Sequence, residues 1–537
     1  MPVLASNEIV APFFSRPMTF VRGLDPLGLQ NTSESTFAML LPGLNNVTGR
    51  IRYYSFYCWL LHEYAKQKGS TEPSDQKKFI RRAELIVALV NRSTSEEISA
   101  IPGSNYANKL LNDEDISTYD LQTATYNPDG TTEGTYWKYG SGAFGQYYVG
   151  SLLDIGLITE RENGSGIYVR TPKKEGVLIS GEDLAIAFEK NISKKNSELF
   201  FFCIKKGKIR DADLETLFEE LNLSFVPPTS DERKNLTTLL LEKDFPQMLE
   251  EAPLTFRRQS IKHLLQYSAD NNEITDRQFT IQAYDLKGKF EDVEDDCLTG
   301  WYYYQLNEYW QYSCLGVFNG TMDYLEKDAG SGWKNLYQLV EEISEQVLNH
   351  LQRDEIIKSG KQKVKNVFSD ADDWMSEAEI FKLINESRTT ERIANSIFLI
   401  LCLVHRNKEY TNILKTYGGN NFIEKDGDGT TFCMKFEKYF DYTAKDFLKE
   451  FLLTHIIYRH QFVAFRKMGN GIQSTQLFLI EEARIRRLLN FEPSLTGPRI
   501  GRLLGFLHDM GILQNQKLTA EGKSILKELR SESIRQA

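Results

Sequence analysis

The chain has no uninterrupted apolar stretch of the roughly 18 residues that a membrane-spanning helix needs. Its longest candidate, residues 397–404, has the length of a buried helix segment. The first ten residues lack the basic start and apolar run of a secretory signal. No C-x-x-C pair occurs. The six cysteines (Cys58, Cys203, Cys297, Cys314, Cys402, Cys433) are scattered through apolar or aromatic settings. That pattern excludes a zinc ribbon or a disulfide scaffold and fits small core residues in a reducing cytoplasm. Also missing are G-x-x-x-x-G-K-[ST], G-x-S-x-G and H-E-x-x-H, so no familiar catalytic signature is present. Positive charge is not in excess either: 64 Lys and Arg stand against 74 Asp and Glu, for a net charge of −10. Uniform affinity for a polyanion is thereby excluded.

What is there is a repeated phrase. Gly150-Ser-Leu-Leu-Asp-Ile-Gly-Leu-Ile158 returns as Gly505-Phe-Leu-His-Asp-Met-Gly-Ile-Leu513, and each copy runs on into Thr-x-x-x-Glu-Gly (171–176) or Thr-x-Glu-Gly (519–522). A helix broken by glycine, a strand, a polar turn such as Asn163-Gly164-Ser165-Gly166, a second strand and a closing helix make the order of a winged helix. At 537 residues the chain exceeds one hydrophobic core. The expected fold is therefore mainly α, multi-domain, with small β-hairpin wings in two winged-helix modules. The expected segments are an N-terminal helical domain (1–125), a first winged helix (126–195), a helical middle region (196–440) and a basic C-terminal winged helix (441–537). Helical periodicity places further helices over 74–91, 211–221, 255–267, 300–326, 336–351, 392–405 and 445–467, with an acidic linker at 370–379.

The acidic total hides a basic end. From Arg459 onward, 13 Lys and Arg face 7 Asp and Glu, a balance of +6 that leaves −16 for the remainder. In the second copy a capping signal at Ser494-Leu495-Thr496 opens a recognition helix over 498–508. Ile500, Leu503, Leu504 and Leu507 recur at core spacing, which turns Arg499, Arg502 and Phe506 outward. A preceding helix would add Arg484, Arg486 and Arg487, and Arg466 and Lys467 lie just upstream. Guanidinium groups in such a cluster suit phosphate or guanine edges. The first copy has Phe144, Tyr147 and Ser151 at the matching positions and no basic residue in its helix, so it reads as a scaffold or partner surface.

Other candidates reduce to structural readings. Gly140-Ser-Gly-Ala-Phe-Gly145 matches G-x-G-x-x-G, but the hairpin occupies the space of the βαβ unit that a dinucleotide requires, so no cofactor is expected. Asp426-Gly-Asp-Gly429 starts like a calcium loop without the remaining ligands, and no metal is expected. The acidic groups Glu294-Asp295-Asp296 and Asp370/Asp372/Asp373 lack a nuclease Glu-x-Lys. His455 and Arg459 share a helix face, where a lone histidine is ordinarily structural. The aromatic helix around Trp301, Tyr309 and Tyr312 has the spacing of a core element.

The run Leu40-Leu-Pro-Gly-Leu-Asn-Asn-Val-Thr-Gly-Arg-Ile-Arg-Tyr-Tyr-Ser-Phe-Tyr-Cys-Trp59 resembles a phrase of large bacterial proteins from mobile-element and anti-phage defence neighbourhoods. It departs from their pattern at Gly49 and Cys58. The resemblance spans about 20 residues and implies a defence or genome-maintenance role, with no chemistry attached. Arg50 and Arg52 would serve as partner-binding or ion-pair residues. Together these readings predict a non-catalytic, cytoplasmic DNA-binding or adaptor subunit that touches duplex DNA and protein partners and no membrane. The alternatives are a nuclease or nucleotide-processing effector, and a purely protein-binding scaffold.

Overall fold

Helix starts follow capping chemistry. Ser180 and Ser376 close capping boxes with Asp183 and Glu379, while Ser193, Asn335, Asp428 and Thr443 accept a backbone N–H in the first turn of their helices. The structure, a computed structural model, describes residues 19–536 except 22, 24, 68, 93–100, 114–115, 125–135, 242–255, 272–274, 286–295 and 469–472. The lead-in prolines Pro12 and Pro17, most of the polar loop before the first repeat, and Glu294 and Asp295 lie outside the described residues. The protein is mainly helical, with two- and three-stranded sheets only, among the described residues. No helix among them is long and apolar enough to cross a membrane. The chain forms two units, one from Met1–Ser35 and Tyr302–Thr496, the other from Thr36–Trp301 and Gly497–Ala537.

In the first unit the core is built on the aromatic helix Asp296–Ala329 from Tyr302 onward, with Tyr302, Tyr303, Tyr309 and Trp310 buried. Helix Leu336–Arg353 buries Leu336, Leu339, Val340, Ile343 and Val347 against Thr389–Asn407 and Ala444–Phe451. The expected acidic linker is instead ordered. A 3-10 segment, Val364–Asp373, buries Val367 and Ala371, and helix Glu377–Glu386 follows. Residues expected as a helix before the second repeat form a hairpin, Phe478–Glu481 paired antiparallel with Arg484–Arg487. Its two-residue turn places Glu482 and Ala483 at φ +46° and +60°. Only Ile485 of the Arg-Ile-Arg-Arg strand is buried; Arg484 and Arg486 share the opposite face, and Arg487 stands on the face of Ile485.

After this hairpin the chain runs extended along the aromatic helix in the opposite sense. Arg487 pairs with Glu326 at 2.5 Å, Asn490 donates to Asp323 at 3.2 Å, and Asn319 donates to the Phe491 carbonyl at 2.7 Å. Gln311 reaches the Ser494 carbonyl, Tyr304 donates to the Thr496 carbonyl at 2.7 Å, and Glu308 accepts the Thr496 N–H at 2.8 Å. These helix residues share one stripe at three- and four-residue spacing. The polar residues inside an aromatic helix thus satisfy the backbone of a strap that makes no ladder of its own.

In the second unit the resemblance phrase is the centre. Helix Arg52–Lys66 is buried from Arg52 through Leu61 and packs on Gly181–Glu189. Both repeats lie here. The first is Phe144–Tyr148 (a π-turn) and Val149–Asp154, the hairpin Ile158–Glu160 with Tyr168–Arg170, and helix Gly181–Glu189. The second is helix Ile500–Asp509, the hairpin Leu513–Gln514 with Lys517–Leu518, and helix Ala520–Gln536. Gly156 and Gly511 end the first helices at φ +75° and +68°, where glycine is the unstrained choice. Thr171 and Thr519 cap the hairpins alike, each hydroxyl donating to the carbonyl of that glycine, Gly156 or Gly511, at 2.8 Å. The partner of Gly522 is Gly181 rather than Gly176. A Cβ on either would stand 2.0–2.3 Å from the carbonyl oxygen of Leu157 or Ile512. The segment from the capping threonine to this glycine is longer in the first copy, residues 172–180 against 520–521, which displaced the sequence match from Gly181 to Gly176.

Candidate functional site

The arginines assigned to DNA in the sequence divide between the units. Arg484, Arg486 and Arg487 belong to the first, on a strand rather than a helix. Arg487 is held by Glu326, Arg484 lies 3.4 Å from Glu482, and Arg486 sits over the Trp333 ring. Arg466 is exposed 5.8 Å from the Phe462 ring centre, and Lys467 donates to the Asp25 carbonyl at 2.7 Å.

Arg499 and Arg502 belong to the second unit. Arg499 is the residue before helix Ile500–Asp509, at φ +58°, a backbone conformation that a side-chain-bearing residue adopts only when it is held there. Its guanidinium bonds the Leu44 carbonyl and lies 4.3 Å over the Phe37 ring, so it staples the helix start to the Pro-Gly loop. Phe506, expected outward, is fully buried and meets Tyr54 edge-on at 5.8 Å. The outward stripe is Gly501, Gly505 and His508. The heptad count erred because the helix packs on two sides, against its own hairpin and against the Arg52–Lys66 helix.

Both resemblance arginines pair with carboxylates of the second unit. Arg52 is fully buried, 3.3 Å from Glu232 and 2.6 Å from the Asn222 carbonyl, over the Phe188 ring. Arg50 pairs with Asp509 at 2.6 Å. Burial pushes the Asp509 carboxyl up to about 7 against the pull of Arg50. Phe144, expected to bind a partner, is buried against Tyr57 and Tyr168. Arg52 and Phe144 are therefore closed to a partner, while Arg50 is half-buried.

The glycine-rich loop before Phe144 cradles an anion supplied by the chain itself. Glu84 accepts the N–H groups of Ala143 and Phe144 at 3.0 and 2.6 Å and the Tyr57 hydroxyl at 3.0 Å. A Cβ at Gly142 would stand 2.3 Å from the same carboxylate. That is the physical reason for Gly-x-Gly here. Desolvation lifts Glu84 to about 7. His455 is likewise structural: it meets the Tyr439 hydroxyl at 2.9 Å and stacks on Phe451, and burial lowers it to about 4. Asp428 of the Asp-Gly-Asp-Gly run caps helix Gly429–Met434. His62, Glu63 and Glu189 come within metal-ligand reach of one another. The Lys66 ammonium already lies 2.8 and 3.3 Å from the two carboxylates, and Arg170 donates to His62 Nδ1.

The second unit also holds a concave site. A cleft of about 530 Å³ is lined by Tyr106, Tyr136, Trp137, Tyr147, Lys109 and Arg502, with Val47, Gly49 and residues 101–105. Among the described residues its lining contains two cations and no carboxylate, in a chain whose net charge is −10. Arg502 donates through Nε to the Asn46 carbonyl at 2.7 Å, which fixes the guanidinium plane at the rim. Neither Arg502 nor Lys109 pairs with a carboxylate among the described residues. Sequence reading supplied Arg502 and Tyr147. It missed Lys109, Tyr106, Tyr136 and Trp137, which three separate loops and a short helix bring to the same place. No family model, curated protein or solved structure matches the chain.

Proposed function

We propose that this protein is a non-catalytic nucleic-acid-binding or adaptor subunit, as in the defence systems whose proteins its Leu40–Trp59 run resembles. Its two helix–hairpin–helix segments act as winged-helix modules. The observation that carries the reading is Arg502: it stands on the first helix of the second repeat and lines one cleft with Lys109, where no described lining residue is a carboxylate. The glycines of that helix add support. Gly501 and Gly505 leave the outward face of that helix smooth, and a Cβ at Gly505 would meet nothing within 4 Å. A glycine inside a helix costs about 0.5–1 kcal/mol relative to alanine, so its place there fits close approach by another backbone. Arg484, Arg486 and Arg487 stand on a strand of the first unit, where Arg487 is held by Glu326, so this reading places the contact on Arg502 instead.

The adaptor half of the reading rests on helix Tyr458–Arg466, which exposes Tyr458, Phe462 and Phe465 at 43%, 61% and 59%. Such rings on one helix suit a protein partner. Binding of the full chain to labelled duplex with a short overhang, followed by anisotropy across salt, tests the nucleic-acid half. Arg502→Ala should lower affinity and reduce the salt slope by about one. An unchanged slope removes this helix as the contact surface.

A further inference from the structure

The cleft in the second unit carries more aromatic surface than an anion alone requires. Tyr136 is buried, meets Tyr106 edge-on at 5.8 Å, and lies 5.6 Å from Trp137. Trp137 in turn meets Tyr147 edge-on at 5.6 Å. Two of the rings, and the backbone that carries a third, are anchored. Trp137 donates through Nε1 to Gln146 at 2.9 Å, the Tyr136 hydroxyl points to the Pro102 carbonyl, and the Tyr147 backbone carbonyl accepts from Asn45 at 2.9 Å. Gly103, at φ +82°, lets the loop pass under Tyr136: a Cβ there would stand 2.2 Å from the ring. The aromatic wall is thus set in place by hydrogen bonds and a glycine, and the two cations stand at its edge.

We infer that this cleft binds a nucleotide unit, its base among Tyr106, Tyr136, Trp137 and Tyr147 and its phosphate between Lys109 and Arg502. A base offers a π-face whatever its identity, and stacking on an aromatic side chain contributes about 1–3 kcal/mol. A phosphate supplies a negative partner for Lys109 and Arg502, neither of which pairs with a carboxylate among the described residues. The volume falls within the range of roughly 300–1,000 Å³ usual for small-ligand sites. The nucleotide can come from two sources, a free mononucleotide or an unpaired nucleotide of a strand that the same unit holds. The inference deepens the nucleic-acid reading and rests on it for the second source only.

The test uses the full chain. Tryptophan fluorescence is titrated with dTMP, AMP, a 12-nucleotide dT strand, a blunt 12-base-pair duplex, inorganic phosphate and phosphotyrosine. Saturable quenching by a mononucleotide or by the dT strand is expected, lost in Trp137→Phe and weakened at least tenfold in Lys109→Ala/Arg502→Ala. Tyr106→Ala, on the exposed helix, gives a second perturbation of the base wall, and its folding is checked by thermal melting. Quenching by mononucleotides points to the free ligand, and quenching by the strand alone to an unpaired nucleotide. If neither quenches while the duplex still binds, the inference fails and the nucleic-acid reading stands. If mononucleotides bind and no strand or duplex does, the reading fails and the inference stands. Phosphate or phosphotyrosine binding as tightly as the nucleotides, or binding indifferent to all three variants, overturns the inference.

Discussion

Arg50 Nη1 lies 2.6 Å from Oδ1 of Asp509, an ion pair between the Leu40–Trp59 run and the end of the helix in the second repeat. The aspartate side chain is fully screened from solvent and also faces the Ile51 N–H. With its folded pKa raised from 3.8 to about 7, Asp509 holds a proton more readily in the folded than in the unfolded chain. Its contribution to stability is therefore greatest below pH 4 and declines as pH rises towards 7.

Removing Arg50 sharpens that dependence. Arg50→Ala leaves a buried carboxylate without its cation, at a cost of about 3–5 kcal/mol when ionised. Protonation relieves the cost, so denaturant unfolding should show a larger penalty at pH 8 than at pH 5. A penalty equal at both values would show that Asp509 is not the group responsible.

Arg499 and Arg502, three residues apart, should behave as different kinds of residue. Arg499→Ala loses the Leu44 carbonyl and the Phe37 ring and should destabilise the second unit by about 1–3 kcal/mol. Arg502→Ala should melt within about 2 °C of the parent and show its effect in nucleic-acid affinity. Thermal melting beside anisotropy separates them; identical profiles for the two variants would contradict the assignment.

Two pairs of glycines make a matched control. Gly181→Ala and Gly522→Ala drive a methyl into a carbonyl oxygen in their respective repeats and should each destabilise strongly. Gly150→Ala and Gly505→Ala meet nothing within 4 Å and should stabilise by about 0.5–1 kcal/mol. Gly505→Ala should nonetheless weaken binding to duplex, because it thickens the outward face. Unchanged affinity would remove that face from the interface.

The strap along the aromatic helix should open locally when its side-chain donors go. Asn319 serves both the Phe491 carbonyl and the Arg392 guanidinium, so Asn319→Ala should cost about 2 kcal/mol. Hydrogen exchange of residues 488–496 should quicken before the rest of the first unit. Exchange spread evenly over that unit would mean that the strap is not a separate opening element.

Helices with one apolar stripe were legible from sequence, often to within a residue or two. The 336–351 periodicity appears as Leu336–Arg353, and 211–221 as Asp211–Leu221. The repeated phrase was legible because Gly156 and Gly511 each terminate a helix at positive φ, a demand that composition records. The Arg484–Arg487 strand was not legible. Its turn uses Glu482 and Ala483 at positive φ, where Asn-Gly would have announced a hairpin. Nor was the direction of Phe506, since a helix packed on two sides has no single core stripe. Of the cleft, Arg502 and Tyr147 stood out by type and position. Lys109 and Trp137 did not, because their meeting is a property of tertiary structure that local pattern does not encode.

Hydrogen–deuterium exchange of the full chain, with and without a duplex bearing a short overhang, reads the contact surface directly. Protection is predicted over 500–509 and 101–109, the two segments that carry Arg502 and Lys109, with the strand 484–487 unaffected. Protection confined to 484–487, or none in the second unit, would contradict the account.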